Sequence, residues 1–211
     1  MSTVKIGFIG LGIMGRPMAL NLLRQGVTLL VNDIDIQAQE TLRAEGALPC
    51  SLGEIGQQCE IVFTILPDGQ AVRDVLFGES SVVLDMPPGR LVVDMSSVTA
   101  EDSRGCFERL AQQSIGFLDA PVSGGEPGAI EGTLSFMVGG RQEDFERALP
   151  YFSIMGSSAV YIATAMDRRM PSALLLWLSL SLFLSPRRKR ITALSSGPMG
   201  SNLGGGKPSF S

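Results

Sequence analysis

The chain of 211 residues contains no histidine and only three cysteines. Without histidine, a Ser-His-Asp triad cannot be built, and the commonest nitrogen ligand for zinc is missing. The cysteines, Cys50, Cys59 and Cys106, form no C-x-x-C pair and show no metal-ligand spacing. We therefore expect no metal site, a reducing compartment and thiols without a chemical role.

Acidic residues are scarce in the last part of the chain. Residues 1–162 carry 20 acids and 10 bases, whereas residues 163–211 carry one acid, Asp167, and seven bases. The net charge of −4 argues against a nucleic-acid partner. Leucine, serine, proline, arginine and glycine dominate the basic part, and residues 195–211 have a composition typical of flexible linkers. We expect one dinucleotide-binding domain over residues 1–162 and an atypical tail over residues 163–211.

Long hydrophobic runs are also missing. The strongest one, residues 173–184, has 12 residues, fewer than the roughly 20 that a membrane-spanning helix needs. We expect a short apolar helix there and no membrane partner. Lys5 is the only basic residue among the first ten, and glycines interrupt the apolar run there, so no targeting signal is recognised and the cytoplasm is the expected location.

Strand and helix signals alternate through the acidic part. Apolar or β-branched runs occur at residues 4–9, 28–33, 61–66, 90–94, 117–121 and 133–138, with helix signals between most of them at 38–45, 51–56, 70–76 and 99–114. This alternation predicts an α/β fold with a Rossmann-type, doubly wound, mainly parallel sheet. Ligands of such sheets bind beyond the carboxyl ends of the strands. The segments that follow these ends should therefore share one rim: residues 10–15, 33, 66–68, 94–97 and 119–125.

A G-x-G-x-x-G turn follows the first apolar run and leads directly into an amphipathic helix. Gly10 permits the tight turn, Gly12 leaves space for a pyrophosphate, and Gly15 lets the helix pack closely on its strand. A purely structural glycine turn is the alternative. The carboxylate of Asp33, which ends the second run about 20 residues on, favours the nucleotide, because it can receive a ribose 2′-hydroxyl.

The residues predicted to bind the dinucleotide at this turn are Gly10, Leu11, Gly12, Ile13, Met14, Gly15 and Asp33. NAD is preferred, because no base follows Asp33 in Ile34, Asp35 and Ile36. NADP stays open, since Arg16 and Arg43 could approach a 2′-phosphate.

Four blocks of sequence together resemble the β-hydroxyacid dehydrogenases, the family of 3-hydroxyisobutyrate dehydrogenase and tartronate semialdehyde (2-hydroxy-3-oxopropionate) reductase. The blocks are residues 7–22, 64–68, 94–97 and 117–140, and the resemblance covers about residues 4–162. The amino-acid sequences of residues 94–97 and 122–127 most resemble those of the tartronate semialdehyde reductases. The resemblance implies transfer of a hydride between NAD(P) and a small hydroxy or oxo acid.

The resemblance also implies roles for individual residues. Ser97 would contact the nicotinamide part of the cofactor, and Ser123, Gly124 and Gly125 would bind the substrate carboxylate. Leu66, Pro67 and Asp68 are placed beside the cofactor, with Leu66 and Pro67 forming a rigid apolar ledge. Two alternatives stay open. Ser96 and Ser97 could cap the next helix, and residues 123–125 could be a plain turn. Asp68 and Asp119 are candidates for acid/base chemistry, but we expect Asp68 to lie at a solvated strand end and Asp119 to anchor its loop.

The chain departs from the family pattern after Ile162. Family members continue with a glycine-rich turn, then a lysine that acts as general acid or base and an asparagine on a long helix. Here residues 163–171 read A-T-A-M-D-R-R-M-P. Arginine cannot replace the lysine, because its pKa above about 12 prevents proton exchange near neutrality.

We therefore expect an impaired enzyme with an unknown catalytic residue, or an inactive dinucleotide-binding module that acts through a partner. The tail is interpreted as the product of a shifted reading frame or an aberrant splice. The alternative is a divergent tail that binds a partner through residues 187–190. The family pairs subunits through its helical domain, so a homo-oligomer is in doubt.

Overall fold

The structure is a computed structural model that describes residues 4–163 and 192–193. Ten strands form one sheet: β1 Lys5–Ile9, β2 Thr28–Asn32, β3 Leu48–Pro49, β4 Ile61–Thr64, β5 Leu91–Asp94, β6 Gly116–Asp119, β7 Val122–Ser123, β8 Leu134–Gly140, β9 Gly156–Ala163 and β10 Thr192–Ala193. The expected apolar helix at 173–184 lies outside the described residues.

Seven helices connect these strands in the described part of the chain. They are α1 Gly15–Arg24, α2 Ile36–Ala44, α3 Leu52–Gln58, α4 Gly69–Phe77, α5 Ala100–Gln112, α6 Gly125–Glu131 and α7 Gln142–Met155. None of the helices in the described residues has the length and hydropathy that a membrane span requires.

The strand order is β3-β2-β1-β4-β5-β6-β8-β9-β10, with β7 pairing to β8 beside this path. The six strands from β3 to β6 are mutually parallel, and their order is that of a dinucleotide-binding sheet. Strand β1 lies between β2 and β4, so successive strands are added on one side of β1 up to β3 and on its other side from β4 onward. The carboxyl end of β1 is therefore the switch point at which such sheets bind ligands.

The predicted fold class is confirmed, with two corrections to the last strands. We expected Gly139 and Gly140 to end a strand, but β8 continues through both and runs antiparallel to β6. We did not predict α7 or β9. Helix α7 contains Pro150, a residue that ordinarily breaks helices, and β9 begins with Gly156, Ser157 and Ser158.

Two hydrophobic clusters cover the two faces of the sheet. Phe8 and Phe63 belong to the cluster under α1 and α7, whereas Val62 belongs to the cluster under α3, α4 and α5. All four residues of β4 are buried, which explains why this strand has a continuous apolar run in the sequence. The core thereby holds the carboxyl ends of β1, β4 and β5 at one edge.

Candidate functional site

The glycine turn lies between the end of β1 and the start of α1, and each of its three glycines has a distinct environment. Gly10 has φ +95°, and a Cβ there would lie 2.2 Å from the Ile65 carbonyl oxygen. A Cβ on Gly15 would lie 1.9 Å from the Gly10 carbonyl oxygen. Both positions therefore require glycine for protein packing alone.

Gly12 differs, because a Cβ there would have no described protein atom within 4 Å. Packing does not explain this glycine, whereas a ligand beside the turn does. No side chain caps α1, and no acid lies in its first turn, so its N–H groups and dipole favour an anion here. The geometry thus fits a pyrophosphate at the switch point.

The Asp33 carboxylate reaches this turn from the end of β2. Its Oδ2 accepts a hydrogen bond from the Leu11 N–H at 2.5 Å, and its Oδ1 accepts one from the Asp35 N–H at 2.8 Å. Asp33 therefore holds the turn in place, a role that sequence reasoning missed. The side chain of Leu11 is buried, so a ligand beside the turn can contact this residue only through its backbone.

The surroundings of Asp33 contain no free base close in sequence. Ile34 is fully exposed directly after it, and Asp35 caps α2 by accepting a hydrogen bond from the Gln37 N–H. Arg43 pairs with Glu40 at 3.3 Å on the same helix. Arg16 is exposed at the start of α1. Ile13 is exposed and Met14 is half-buried at the turn itself.

The ledge predicted at Leu66 and Pro67 adjoins the glycine turn. The Leu66 side chain would lie 3.2 Å from a Cβ on Gly10, and Pro67 is exposed. Asp68 is exposed too, and it caps α4 by accepting a hydrogen bond from the Ala71 N–H at 2.8 Å. The capping role was not predicted, although an aspartate before a helix is a usual signal for it.

A buried hydrogen-bond network, made by Asp94 with its neighbours, joins the ends of β4 and β5. Asp94 Oδ1 accepts hydrogen bonds from Thr64 Oγ1 at 2.8 Å and from Ser96 Oγ at 2.6 Å. Ser96 Oγ in turn accepts one from the Leu66 N–H at 2.9 Å. The network therefore fixes the ledge relative to the end of β5, and sequence reasoning did not find it.

The alternative that Ser96 or Ser97 caps the next helix is wrong. Thr99 is the N-cap of α5, since its hydroxyl accepts a hydrogen bond from the Asp102 N–H. Ser96 is buried in the network, whereas Ser97 is exposed at the same edge of the sheet. Of the two serines, Ser97 is thus the one that a ligand can reach.

Two carboxyl groups with altered acidity lie side by side at this edge. Asp94 and Asp119 are register partners at the ends of β5 and β6. Burial raises the pKa of Asp94, although its hydrogen bonds from Ser96 and Thr64 oppose that effect. Burial also raises the pKa of Asp119 to about 6; the Ser103 hydroxyl lowers it and the Asp94 charge adds to the increase.

Ser123, Gly124 and Gly125 form the junction between β7 and α6. Gly124 has φ +133° and Gly125 has φ +61°, conformations that residues with side chains rarely adopt. Asn21 connects this junction to the dinucleotide helix, because its Nδ2 donates a hydrogen bond to the Ala129 carbonyl at 2.8 Å. The two glycine-rich segments, 10–15 and 123–125, are thus held by neighbouring helices.

A row of serines crosses three strands beside this junction. Ser123 is the register partner of Ser135, and Ser158 Oγ donates a hydrogen bond to Ser135 Oγ at 2.9 Å. All three are half-buried. No sequence signal predicted this row, since β8 contains a single serine.

The thiols have no sign of reactivity. Cys59 and Cys106 are buried, and burial raises their pKa values to about 12 and about 11, so both stay protonated near neutrality. Within residues 4–163, no group of three or more acidic or thiol side chains is arranged to hold a metal ion.

Comparison with known proteins places this geometry in a family. The family model for the NAD binding domain of 6-phosphogluconate dehydrogenase matches residues 5–163. The 2-hydroxy-3-oxopropionate reductase of Escherichia coli is 41% identical over 159 residues, which cover 75% of this chain and 54% of the reductase. The chain belongs to the β-hydroxyacid dehydrogenase family.

Other relatives agree with this assignment. The 2-(hydroxymethyl)glutarate dehydrogenase of Eubacterium barkeri is 38% identical over 161 residues, covering 76% of this chain and 54% of that enzyme. A solved structure of Mycobacterium tuberculosis 3-hydroxyisobutyrate dehydrogenase with L-serine superposes with a TM-score of 0.76 and 31% identity, covering 86% of this chain and 60% of that one.

This member of the β-hydroxyacid dehydrogenase family spans about half the length of the curated relatives that it matches. The shared part is the NAD-binding domain, and the predicted nicotinamide cofactor is therefore confirmed at the level of the domain.

Proposed function

We propose that the chain binds NAD at the glycine turn and derives from an oxidoreductase that acts on a small hydroxy or oxo acid. The observation that carries the proposal is the environment of Gly12, whose missing side chain leaves open space at the switch point of the sheet. Gly10 and Gly15, by contrast, leave no room for a Cβ, because protein atoms lie directly against them.

The described residues supply separate functions around a bound dinucleotide. The Gly12–Gly15 segment and the start of α1 would hold the pyrophosphate, and the free acceptor sites of Asp33 would hold the adenine ribose. Leu66, Pro67 and Ser97 line the edge toward the nicotinamide. When bound, the nicotinamide would supply or receive the hydride of the reaction.

The substrate would bind at Ser123, Gly124 and Gly125. The support is the positive φ of both glycines together with the similarity to 2-hydroxy-3-oxopropionate reductase. NAD is preferred to NADP because Asp33 supplies a carboxylate and Ile34 supplies no charge. The exact acid stays open among the small hydroxy and oxo acids.

Turnover should be weak or absent, because no lysine follows a glycine-rich turn after Ile162. This observation favours the second candidate function, a dinucleotide-binding module that acts through a partner. A steady-state assay of the purified chain with NADH and tartronate semialdehyde separates the two. Turnover near that of a complete reductase would contradict the role assigned to the lysine.

Cofactor binding is tested by Gly12→Val. The new side chain would occupy the open space, so NADH affinity should fall at least 100-fold while the free energy of unfolding changes little, since no described protein atom lies there. Fluorescence titration with NADH measures the affinity. Gly105→Val is the matched control, because a Cβ on Gly105 also meets open space, but on the exposed side of α5.

If Gly12→Val binds NADH as well as the parent chain does, the dinucleotide does not lie against this turn. If Gly105→Val loses affinity equally, the effect of Gly12→Val is not local. Either result would overturn the assignment.

A further inference from the structure

A second cleft lies at the opposite edge of the sheet from the dinucleotide site. It has a volume of about 240 Å³ and lies where β5 and β6 begin and where α7 begins. Its charged lining residues are Arg90, Arg141, Glu143, Asp144 and Arg147. The three arginines and two acids give this lining a net charge of +1.

Asp144 is the buried charge of the cleft, with only 4% of its surface exposed. Its Oδ1 accepts a hydrogen bond from Arg147 at 3.2 Å, but its Oδ2 is buried and has no hydrogen-bond partner among the described residues. A buried carboxylate oxygen without a donor is unfavourable. The cleft therefore presents an acceptor that a ligand with a hydrogen-bond donor would satisfy.

The position of Asp144 depends on Gly116 at the start of β6. A Cβ on Gly116 would lie 2.7 Å from each oxygen of the Asp144 carboxylate. The carboxylate thus lies against a backbone surface that has no side chain. Burial raises the pKa of Asp144, and the Arg147 charge opposes that effect.

The arginines of the cleft are unequally engaged. Arg147 donates one hydrogen bond to Asp144 from Nη1 and one to the Gly89 carbonyl from Nη2, the latter at 3.1 Å. Arg141 forms an exposed ion pair with Glu143 at 3.8 Å, and Arg90 forms no ion pair within the described residues. Arg90 and Arg141 are thus available to an anion. The start of α7 adds nothing to their attraction, because Glu143 and Asp144 lie in its first turn.

We propose that this cleft binds a free α-amino acid. The ligand's carboxylate would accept hydrogen bonds from Arg90 and Arg141, and its ammonium group would donate to Asp144 Oδ2. A simple anion suits the arginines but is repelled by Asp144, and a simple amine suits Asp144 but is repelled by the arginines. A zwitterion alone complements both parts of the lining.

The test uses a ligand series that changes one group at a time. Glycine, glycolate, acetate and methylammonium are titrated into the 15N-labelled full chain, and the amide signals of Gly89 and Gly116 are followed. Glycine should bind at least tenfold more tightly than each of the other three. Gly10, Gly12 and Gly15 report on the dinucleotide edge and should not respond to glycine.

Two variants locate the two ends of the ligand. Arg90→Gln should weaken glycine and acetate together, whereas Asp144→Asn should remove the preference for glycine over acetate. Arg24→Gln, an exposed arginine at the end of α1, is the matched control. Unchanged NADH affinity shows that each variant is folded. If Asp144→Asn does not fold, the ligand series and Arg90→Gln still decide.

Equal affinity for glycine, glycolate and acetate would overturn the proposal and leave a plain anion site. Tightest binding of glycolate would also overturn it, since a hydroxy acid would then be the ligand. Responses at Gly10–Gly15 in place of Gly116 would move the ligand to the dinucleotide edge. Because the cleft is remote from that edge, loss of NADH binding in Gly12→Val leaves this test unaffected.

Discussion

The Asp33 carboxylate already accepts hydrogen bonds from the Leu11 and Asp35 N–H groups. A carboxylate has about four acceptor sites, so roughly two remain for the ribose hydroxyls of a dinucleotide. In the proposed complex, the carboxylate that shapes the turn would therefore also receive the ribose. The two roles can be separated because only the second distinguishes NAD from NADP.

Asp33→Ala should weaken NADH binding by about 10- to 100-fold, the effect of losing hydrogen bonds to a charged group. NADPH should be weakened less, because its 2′-position carries a phosphate and cannot donate to Asp33. Fluorescence titration with both cofactors measures the ratio. Asp35→Ala is the control, since it removes only the cap of α2. Equal losses for NADH and NADPH would mean that Asp33 only shapes the turn.

Asp119 gives the protein a specific dependence on pH. Its pKa is about 6 in the folded state against about 3.9 in an unfolded chain, so the folded state holds this proton more tightly. Between about pH 4 and pH 6 the folded state thus binds more protons, and the contribution of Asp119 to stability decreases as pH rises.

Asp119→Asn should remove that dependence. The free energy of unfolding of the variant should equal that of the parent near pH 4 and exceed it by about 1–3 kcal/mol at pH 8. Urea denaturation at pH 4, 6 and 8 measures the difference, with the exposed Asp85→Asn as control for the loss of one negative charge. A variant less stable than its parent at pH 8 would show that ionised Asp119 makes a favourable contact.

At the scale of elements, the ends of β4 and β5 form one hydrogen-bonded unit. Asp94 holds Ser96, and Ser96 holds the Leu66 N–H. The neighbouring Ser97 is exposed and lies outside this network. Two adjacent serines therefore have different environments: Ser96 supports the ledge, and Ser97 is exposed at the proposed ligand edge.

Ser96→Ala should lower the free energy of unfolding by about 1–3 kcal/mol, because it leaves the Leu66 N–H without its acceptor. Ser97→Ala should change it by less than about 0.5 kcal/mol and should weaken NADH binding several-fold. Urea denaturation and NADH titration of both variants give the comparison. The interpretation fails if the two serines exchange these effects.

Local features of the fold, such as helix caps, could be predicted from the sequence, whereas the contacts between strand ends at the candidate site could not. The cap of α3 is an example of the first kind: Ser51 and Glu54 form a capping box three residues apart, and Ser51 is recognisable as a cap. The bond between Leu66 and Ser96 is an example of the second kind. It spans 30 residues, and no spacing rule connects the two positions.

At the scale of the whole molecule, the alternation of apolar runs and helix signals was sufficient to predict β1, β2, β4, β5 and β6 of the parallel part, but not the two-residue edge strand β3. Strand direction beyond β6 was not predictable, because an apolar run looks the same in both directions. Helix α7 was missed because it contains Pro150, which is unfavourable inside a helix. Strand β9 was missed because it begins with three small residues that give no strand signal. The second cleft was invisible for a related reason, since Arg90, Gly116 and Asp144 meet only after β5, β6 and α7 pack together.

The central place of β4 has a consequence for hydrogen exchange. Strand β4 lies between β1 and β5 with every residue buried, so the amide protons of Val62 and Phe63 exchange only when the sheet opens globally. The two-residue strand β3 lies at the edge, where local opening suffices. A ligand bound only by the folded state slows global opening by a factor of about 1 + [L]/Kd.

Saturation with NADH at about 100 times its Kd should therefore slow exchange at Val62 and Phe63 by about 100-fold, while exchange in β3 changes little. Hydrogen–deuterium exchange with and without NADH measures both. Equal slowing in β3 and β4 would show that the edge strand opens only together with the core. The amides of β4 thus record ligand affinity at residues that no ligand touches.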